Sequence, residues 1–252
     1  MRLAAQEAGR WTTRDVADEI PVAFRYAGLP HAVMMATPGD LDDFARGFSL
    51  AEGIVSHAAD IRSIEATPAC DAIDVDVTLA PAALQAYLGR RRHRALRAYT
   101  SCGVCGTQDV AGIPLPGPPT NPLPIQPASI RHAVVALREF QPLSQATRAA
   151  HAAAWVSMQG GVRIVREDVG RHNALDKLVG ACMVADVDLD DGFCLITSRC
   201  SYEMVQKATM FGFRALVAMS APTLRAIDAA RASGIALTVQ AASEAMVSFP
   251  GQ

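Results

Sequence analysis

Residues 73–79, IDVDVTL, alternate strictly between apolar and polar, the two-residue period of a half-buried strand. Two further strand-like runs, 20–27 and 31–37, flank Gly28-Leu29-Pro30 and read as a hairpin. The period then changes. Leu41, Phe44, Phe48 and Ala51 recur at helical spacing behind Asp40, with Asp43 in capping-box position and Gly53 as a stop. Residues 81–98, rich in Ala, Leu and Arg, form a second helical segment.

The second half of the chain has another rhythm. Ser129 reads as the cap of a helix running to about Phe140, and a further helix is expected over 144–152. Strand-like runs at 154–158 and 162–166 meet at a Gly160-Gly161 turn. A helix from Arg171, a strand at 193–197, a helix from Ser201, a strand at 215–219, a helix from Pro222 and a strand at 235–240 follow. Such alternation implies an α/β domain whose largely parallel sheet is covered on both faces. Ligands of these sheets sit at the carboxyl ends of the strands. The three loops there, 166–173 (REDVGRHN), 197–201 (TSRCS) and 220–223 (SAPT), are all polar.

Between the halves, residues 112–127 hold seven prolines in sixteen positions, which neither a helix nor a central strand accepts. The expected organisation is a flexible polar tail at 1–18, a smaller mixed α+β subdomain at 19–111 that ends in a cysteine loop, an extended linker at 112–127 and the α/β domain at 128–252.

Composition narrows the function. Half of the residues are hydrophobic, 19% are charged and the net charge is −2, so no broad nucleic-acid or polybasic membrane surface is expected. Arg90, Arg91, Arg92, Arg94 and Arg97 form the one basic cluster, read as a solvated helix face or a docking patch. The first residues carry acids and no apolar core of a signal peptide, and no run of about 18 apolar residues occurs, which points to the cytoplasm. In that compartment the six cysteines read as core residues, metal ligands or working thiols.

Two of them carry the chemistry. Cys102 and Cys105 stand in SCGVCG, a C-x-x-C pair flanked by glycines. Three functions use such a pair. A zinc site needs a second ligand pair, which the spacing of Cys70, Cys182, Cys194 and Cys200 does not offer. Thioredoxin-like exchange needs a helix start to lower a thiol pKa. Persulfide carriage needs a thiol on a loop that can swing, and the glycines favour it, although the pair could also sit in a mere turn. Among the polar loops, Arg171 and His172 stand at a helix start, where free N–H groups attract anions and a phosphate would fit. Helix capping and salt bridges among Arg166, Glu167, Asp168 and Arg171 would explain the same residues.

Taken in order, CGVCG, REDVGRHNALDKLVGA, TSR-S-YE-VQKA and SAPT resemble the formate dehydrogenase accessory family (FdhD/NarQ-like), as does TPGDLDDFARGFSLAEGI at 37–54. The resemblance runs from about residue 20 to 238. It implies a sulfurtransferase that accepts persulfide sulfur from a cysteine desulfurase, with Cys102 and Cys105 as the catalytic sulfur carriers and Cys102 the first candidate for the persulfide. The sulfur would pass to the molybdenum of bis-molybdopterin guanine dinucleotide, the cofactor of formate dehydrogenase. It also implies a homodimer without a tightly bound metal of its own. The C-terminal domain would be a cytidine-deaminase-like three-layer αβα unit with a mostly parallel mixed sheet that binds guanine nucleotide moieties.

Carried over, the cofactor contacts are Arg166, Asp168, Gly170, Arg171, His172, Asn173, Lys177, Ser198, Arg199, Ser220 and Thr223, and then Gln240, Ala241, Ala242, Ser243, Glu244 and Ala245. That last stretch departs from the family, which carries a glycine–arginine segment there. HAAAW at 151–155 and Cys200 depart as well. Deamination itself is not expected, since His151 is followed by Ala152 and Ala153 and the catalytic Glu is missing. A non-catalytic cofactor-binding chaperone and a dithiol redox protein are the alternatives.

Overall fold

The computed structural model describes residues 1–7, 10–93, 121–240 and 246–249. Cys102, Cys105, Arg94, Arg97, Pro114 and the stretch 241–245 lie outside the described residues. The polar N-terminus, expected as a loose tail, is a ribbon: β1 (Arg2–Glu7) pairs antiparallel with β2 (Arg10–Asp15), and Arg2 faces Asp15 at 3.0 Å.

The alternation in the first half produces a four-stranded sheet. β3 (Ile20–Tyr26) and β4 (Leu29–Ala36) form the expected hairpin, with Ala27 and Gly28 both at positive φ in its turn. Val22, Phe24 and Tyr26 point to one side and are buried. α1 (Leu41–Ala51) covers that side, stacking Phe48 on Phe24 and accepting a 2.8 Å contact between Ser49 Oγ and the Tyr26 hydroxyl. β5 (Ile61–Ala69) and β6 (Ala72–Leu79) complete the order β4-β3-β6-β5, and α2 (Pro81–His93) follows. β5 escapes sequence reading because only Ile61 is buried along it, so no alternation marks it. It exists through its ladder with β6.

In the second half, α3 (Pro127–Leu137) starts at Pro127 rather than at Ser129, and α4 (Pro142–Thr147) is shorter than the expected helix. His151 instead opens β7 (His151–Ser157), a strand paired on both sides. Two ladders outweigh the modest helical preference of an alanine run. β8 (Val162–Asp168), α5 (Arg171–Ala185), β9 (Gly192–Ile196), α6 (Tyr202–Phe211), β10 (Ala215–Ala218), α7 (Leu224–Ser233), β11 (Ala236–Gln240) and β12 (Met246–Phe249) follow.

The sheet order is β12-β11-β10-β9-β7-β8. Only β9, β10 and β11 run parallel to one another; the ladders of β7 and β12 are antiparallel, so the sheet is mixed as expected, with parallel pairing confined to its centre rather than predominant. α3 covers one face, placing Ile130, Ala133 and Leu137 on Val156, Phe193, Leu195 and Val217. α5, α6 and α7 cover the other, where Leu175, Met204 and Ala230 meet Trp155, Cys194 and Leu216. These are the three layers expected of a deaminase-like domain.

The halves are not separate globules. One buried cluster runs from Phe24 and Val75 through Phe44 and Phe48 to Leu175, Leu178 and Ile196. At its centre α1 crosses α5 with backbones in contact. A Cβ on Gly47 would drive into the Asp176 carbonyl, and one on Gly180 into the Asp43 carbonyl. The described end of the proline-rich segment also packs, through Leu123 N–H donating to the Arg214 carbonyl at 3.3 Å. No helix among the described residues is long and apolar enough to cross a membrane.

Candidate functional site

The three polar loops do converge. His151 faces Asp168 across the β7–β8 ladder and Ala153 faces Ile196 across β7–β9, which puts the ends of β8 and β9 at one edge of the sheet. The 197–201 and 220–223 loops are stitched together there by the Cys200 N–H on the Ala221 carbonyl at 3.2 Å and the Thr223 N–H on the Cys200 carbonyl at 3.0 Å. The Gln240 end of β11 lies at the same edge, next in order.

Much of the REDVGRHNALDK string, however, faces into the protein. Asp168 and Lys177 are fully buried and paired at 2.7 Å. Asp168 accepts from the backbone N–H groups of Thr37 (3.0 Å) and Gly170 (2.8 Å) and from Asn173 Nδ2 (3.0 Å). Lys177 donates to the Thr37 carbonyl at 2.9 Å, and Asn173 to the Met35 carbonyl at 2.8 Å. Arg166 reaches Asp43 at 2.7 Å, so Asp43 is an ion-pair partner rather than half of a capping box; Asp40, the N-cap, makes no side-chain cap. Glu167 accepts the Leu143 and Ser144 N–H groups at 2.8 Å each. Arg166, Asp168, Asn173 and Lys177, expected as cofactor contacts, are thereby committed to holding the segment Met35–Thr37 and α1 against β8 and α5. The Asp168 carboxylate and the Asn173 amide are fully engaged within the fold, Arg166 and Lys177 are ion-paired there, and a buried ion pair of this kind is costly to break. Thr223 is likewise a helix cap, accepting the Ala226 N–H at 3.2 Å.

The groups left facing the edge are fewer. Gly170 is the N-cap of α5, and among the described residues no side-chain cap is seen there. A Cβ on Gly170 would press on Asn173 Nδ2, so the close turn needs glycine. Arg171 is half-buried, and among the described residues it makes no ion pair. Ser198 is buried with its hydroxyl on the Arg199 carbonyl at 3.1 Å, Arg199 is exposed, and Ser220 is half-buried.

His172 is the unusual member. It is 6% exposed, and its buried Nε2 has no hydrogen-bond partner among the described residues. Glu203 Oε2 stands 3.8 Å away and is itself bonded by Ser201 Oγ at 2.7 Å. The Glu203 carboxyl is held down to about 2, the His172 imidazole being the largest influence, with burial opposing and the Ser201 hydroxyl assisting. His151, at the head of β7, is pushed below the usual histidine range by burial and then by the neighbouring Arg171 and His172, with Asp168 opposing. Neither Glu203 nor His151 was singled out as a ligand residue from the sequence. The signal for Glu203 is its place two residues after a loop serine at the start of α6; His151 enters the sequence reading through the missing deaminase Glu and the HAAAW departure.

A second buried couple lies beneath. Lys207 Nζ is 2.8 Å from both oxygens of Asp176, and burial pushes the Asp176 carboxyl up although Lys207 pulls it down. Of the cysteines described, Cys182, Cys194 and Cys200 are buried and Cys70 is exposed. Burial raises the thiols of Cys182 and Cys200 to about 12 each, so they pack as small apolar groups.

Comparison with known proteins places this edge in context. Residues 17–252 match the model of the FdhD/NarQ family. The chain is 48% identical over 224 residues to the sulfur carrier protein FdhD of Xanthomonas euvesicatoria pv. vesicatoria, covering 88% of this chain and 79% of that one. It is 47% identical over 226 residues to the like-named protein of Chromobacterium violaceum, covering 88% and 83%. A crystal structure of a candidate formate dehydrogenase accessory protein from Desulfotalea psychrophila shares the fold, with a TM-score of 0.74 at 20% identity over 100% of this chain and 96% of that one.

Proposed function

This chain belongs to the FdhD/NarQ family, and from that premise we propose that it is a sulfur carrier in the maturation of formate dehydrogenase, acting as a cytoplasmic sulfurtransferase. The observation that supports this reading is the 48% identity over 224 residues to a protein named for sulfur carriage. The proposed donor is a cysteine desulfurase. Its persulfide S–S bond breaks as a new one forms at the Cys102 thiolate, and the donor leaves as a thiolate. Cys105 then attacks the inner sulfur of the Cys102 persulfide. Sulfide is released for the molybdenum, and a Cys102–Cys105 disulfide remains for a thiol reductant to reopen.

The proposed cargo is bis-molybdopterin guanine dinucleotide, held by a homodimer. Its phosphates suit the head of α5, where uncapped backbone N–H groups meet Arg171 and His172. Ser198, Arg199 and Ser220 line the same edge, and Gln240 ends the neighbouring strand. With four of the expected contacts, Arg166, Asp168, Asn173 and Lys177, committed inside the fold, this is a smaller recognition surface than the motif first suggests.

The test is incubation with a cysteine desulfurase and cysteine, followed by intact mass. One added sulfur, removed by dithiothreitol and absent in Cys102→Ala, is expected. Loading that persists in both Cys102→Ala and Cys105→Ala would sink the proposal. Restoration of formate dehydrogenase activity in a deletion strain by the double variant would favour a chaperone instead.

A further inference from the structure

We propose that Glu203 is a positioning residue: clamped by Ser201, it holds the His172 imidazole at the head of α5, and the pair takes up one proton when a phosphate or pyrophosphate group docks there. The inference rests on the reading of this corner as a phosphate site.

The geometry carries it. His172 is the second residue of α5, a helix of fifteen residues whose N-terminus has no side-chain cap among the described residues. Its buried Nε2 finds no hydrogen bond among them either, which is costly for an idle side chain. The nearest acceptor is Glu203 Oε2, 3.8 Å away and just beyond bonding distance. Ser201 Oγ fixes that same oxygen at 2.7 Å, so Glu203 cannot easily turn away. Ser201 donates to this oxygen, a contact that favours the charged carboxylate.

The surroundings decide what the pair can do. The charged and titratable groups around His172 are Glu203 on α6, His151 on β7, Asp168 on β8, and Arg171 and Asp176 on α5. Asp168 and Asp176 are already neutralised by Lys177 and Lys207. Among the described residues around His172, Glu203 is therefore the carboxylate with charge to spare for the imidazole. An anion arriving beside Arg171 brings a second negative charge. A proton from solvent on His172 then lies between the two, and the Nε2–H closes onto Glu203. A carboxylate that orients one ring nitrogen leaves the other for the ligand.

Calorimetry of guanosine diphosphate binding at about pH 8, in buffers of different ionisation enthalpy, tests this, since the probe is then fully deprotonated. Wild type is expected to take up a proton on binding. Glu203→Gln should bind about tenfold more weakly, the loss of one charge-assisted hydrogen bond, and should lose the uptake; Ser201→Ala should do the same more mildly if Glu203→Gln folds poorly. His172→Gln should abolish the uptake. Wild-type affinity and uptake in folded Glu203→Gln would overturn this inference alone. No binding of guanosine diphosphate by wild type would overturn the phosphate-site reading and this inference with it.

Discussion

Lys177 Nζ lies 2.7 Å from Asp168 Oδ2 with neither side chain exposed, and both residues reach on to the backbone of Thr37. A salt bridge within the second half of the chain is thus also the bolt that holds the first half. Lys177 further lies over the Phe44 ring, 5.7 Å from its centre, so its charge is shared with α1.

Lys177→Met should leave the Asp168 charge buried with only N–H donors around it. The expected loss is about 3–5 kcal/mol, read as a lower urea midpoint. A midpoint equal to that of wild type would mean the bolt carries no weight.

Gly47→Ala and Gly180→Ala should each destabilise by at least about 1–3 kcal/mol, the usual cost of overpacking a core. The obstruction in both cases is a backbone carbonyl, which has little room to yield. The two changes act on the same crossing, so their combined effect should be less than additive. Thermal melts of the three variants check this.

Glu203 makes stability depend on acid. Its carboxyl titrates at about 2 in the folded protein against an ordinary 4.5. Its contribution is therefore complete above pH 4.5 and disappears as the pH falls from there through about 2. Urea midpoints of wild type and Glu203→Gln should differ at pH 7 and draw together at pH 2–3. A gap that persists at low pH would assign the effect to packing.

Alkylation should separate the thiols. In the native protein at pH 8, iodoacetamide should spare Cys182, Cys194 and Cys200, all fully buried, and modify the exposed Cys70. The Cys102→Ala/Cys105→Ala variant should accordingly take a single label. Peptide mass spectrometry reads the sites, and labelling of Cys194 without denaturant would contradict its burial.

The elements that sequence reading located share a cause. The hairpin β3–β4, the strand β6 and the alternating strands and helices from Arg171 onward each bury one face or a whole run, so their period reports their surroundings. β5 buries little, as do residues 2–4 and 11–15 of the β1–β2 ribbon, and nothing in their pattern distinguishes them from loop. The site followed the same division. Convergence of the three loops was legible because topology alone brings strand ends together. The inward role of Asp168, Asn173 and Lys177 was not, because their partners, Met35 and Thr37, lie more than a hundred residues away in the chain. A string of polar residues at a helix start looks the same whether it awaits a ligand or a neighbouring backbone.

The glycine crossing of α1 and α5 has a consequence for how the two sheets could come apart. Helices that meet main chain to main chain leave no layer of side chains between them to repack, so parting the four-stranded sheet from the six-stranded one would break the contact at Gly47 and Gly180 and open the apolar cluster that both sheets share. A change at either glycine is therefore felt by both sheets at once.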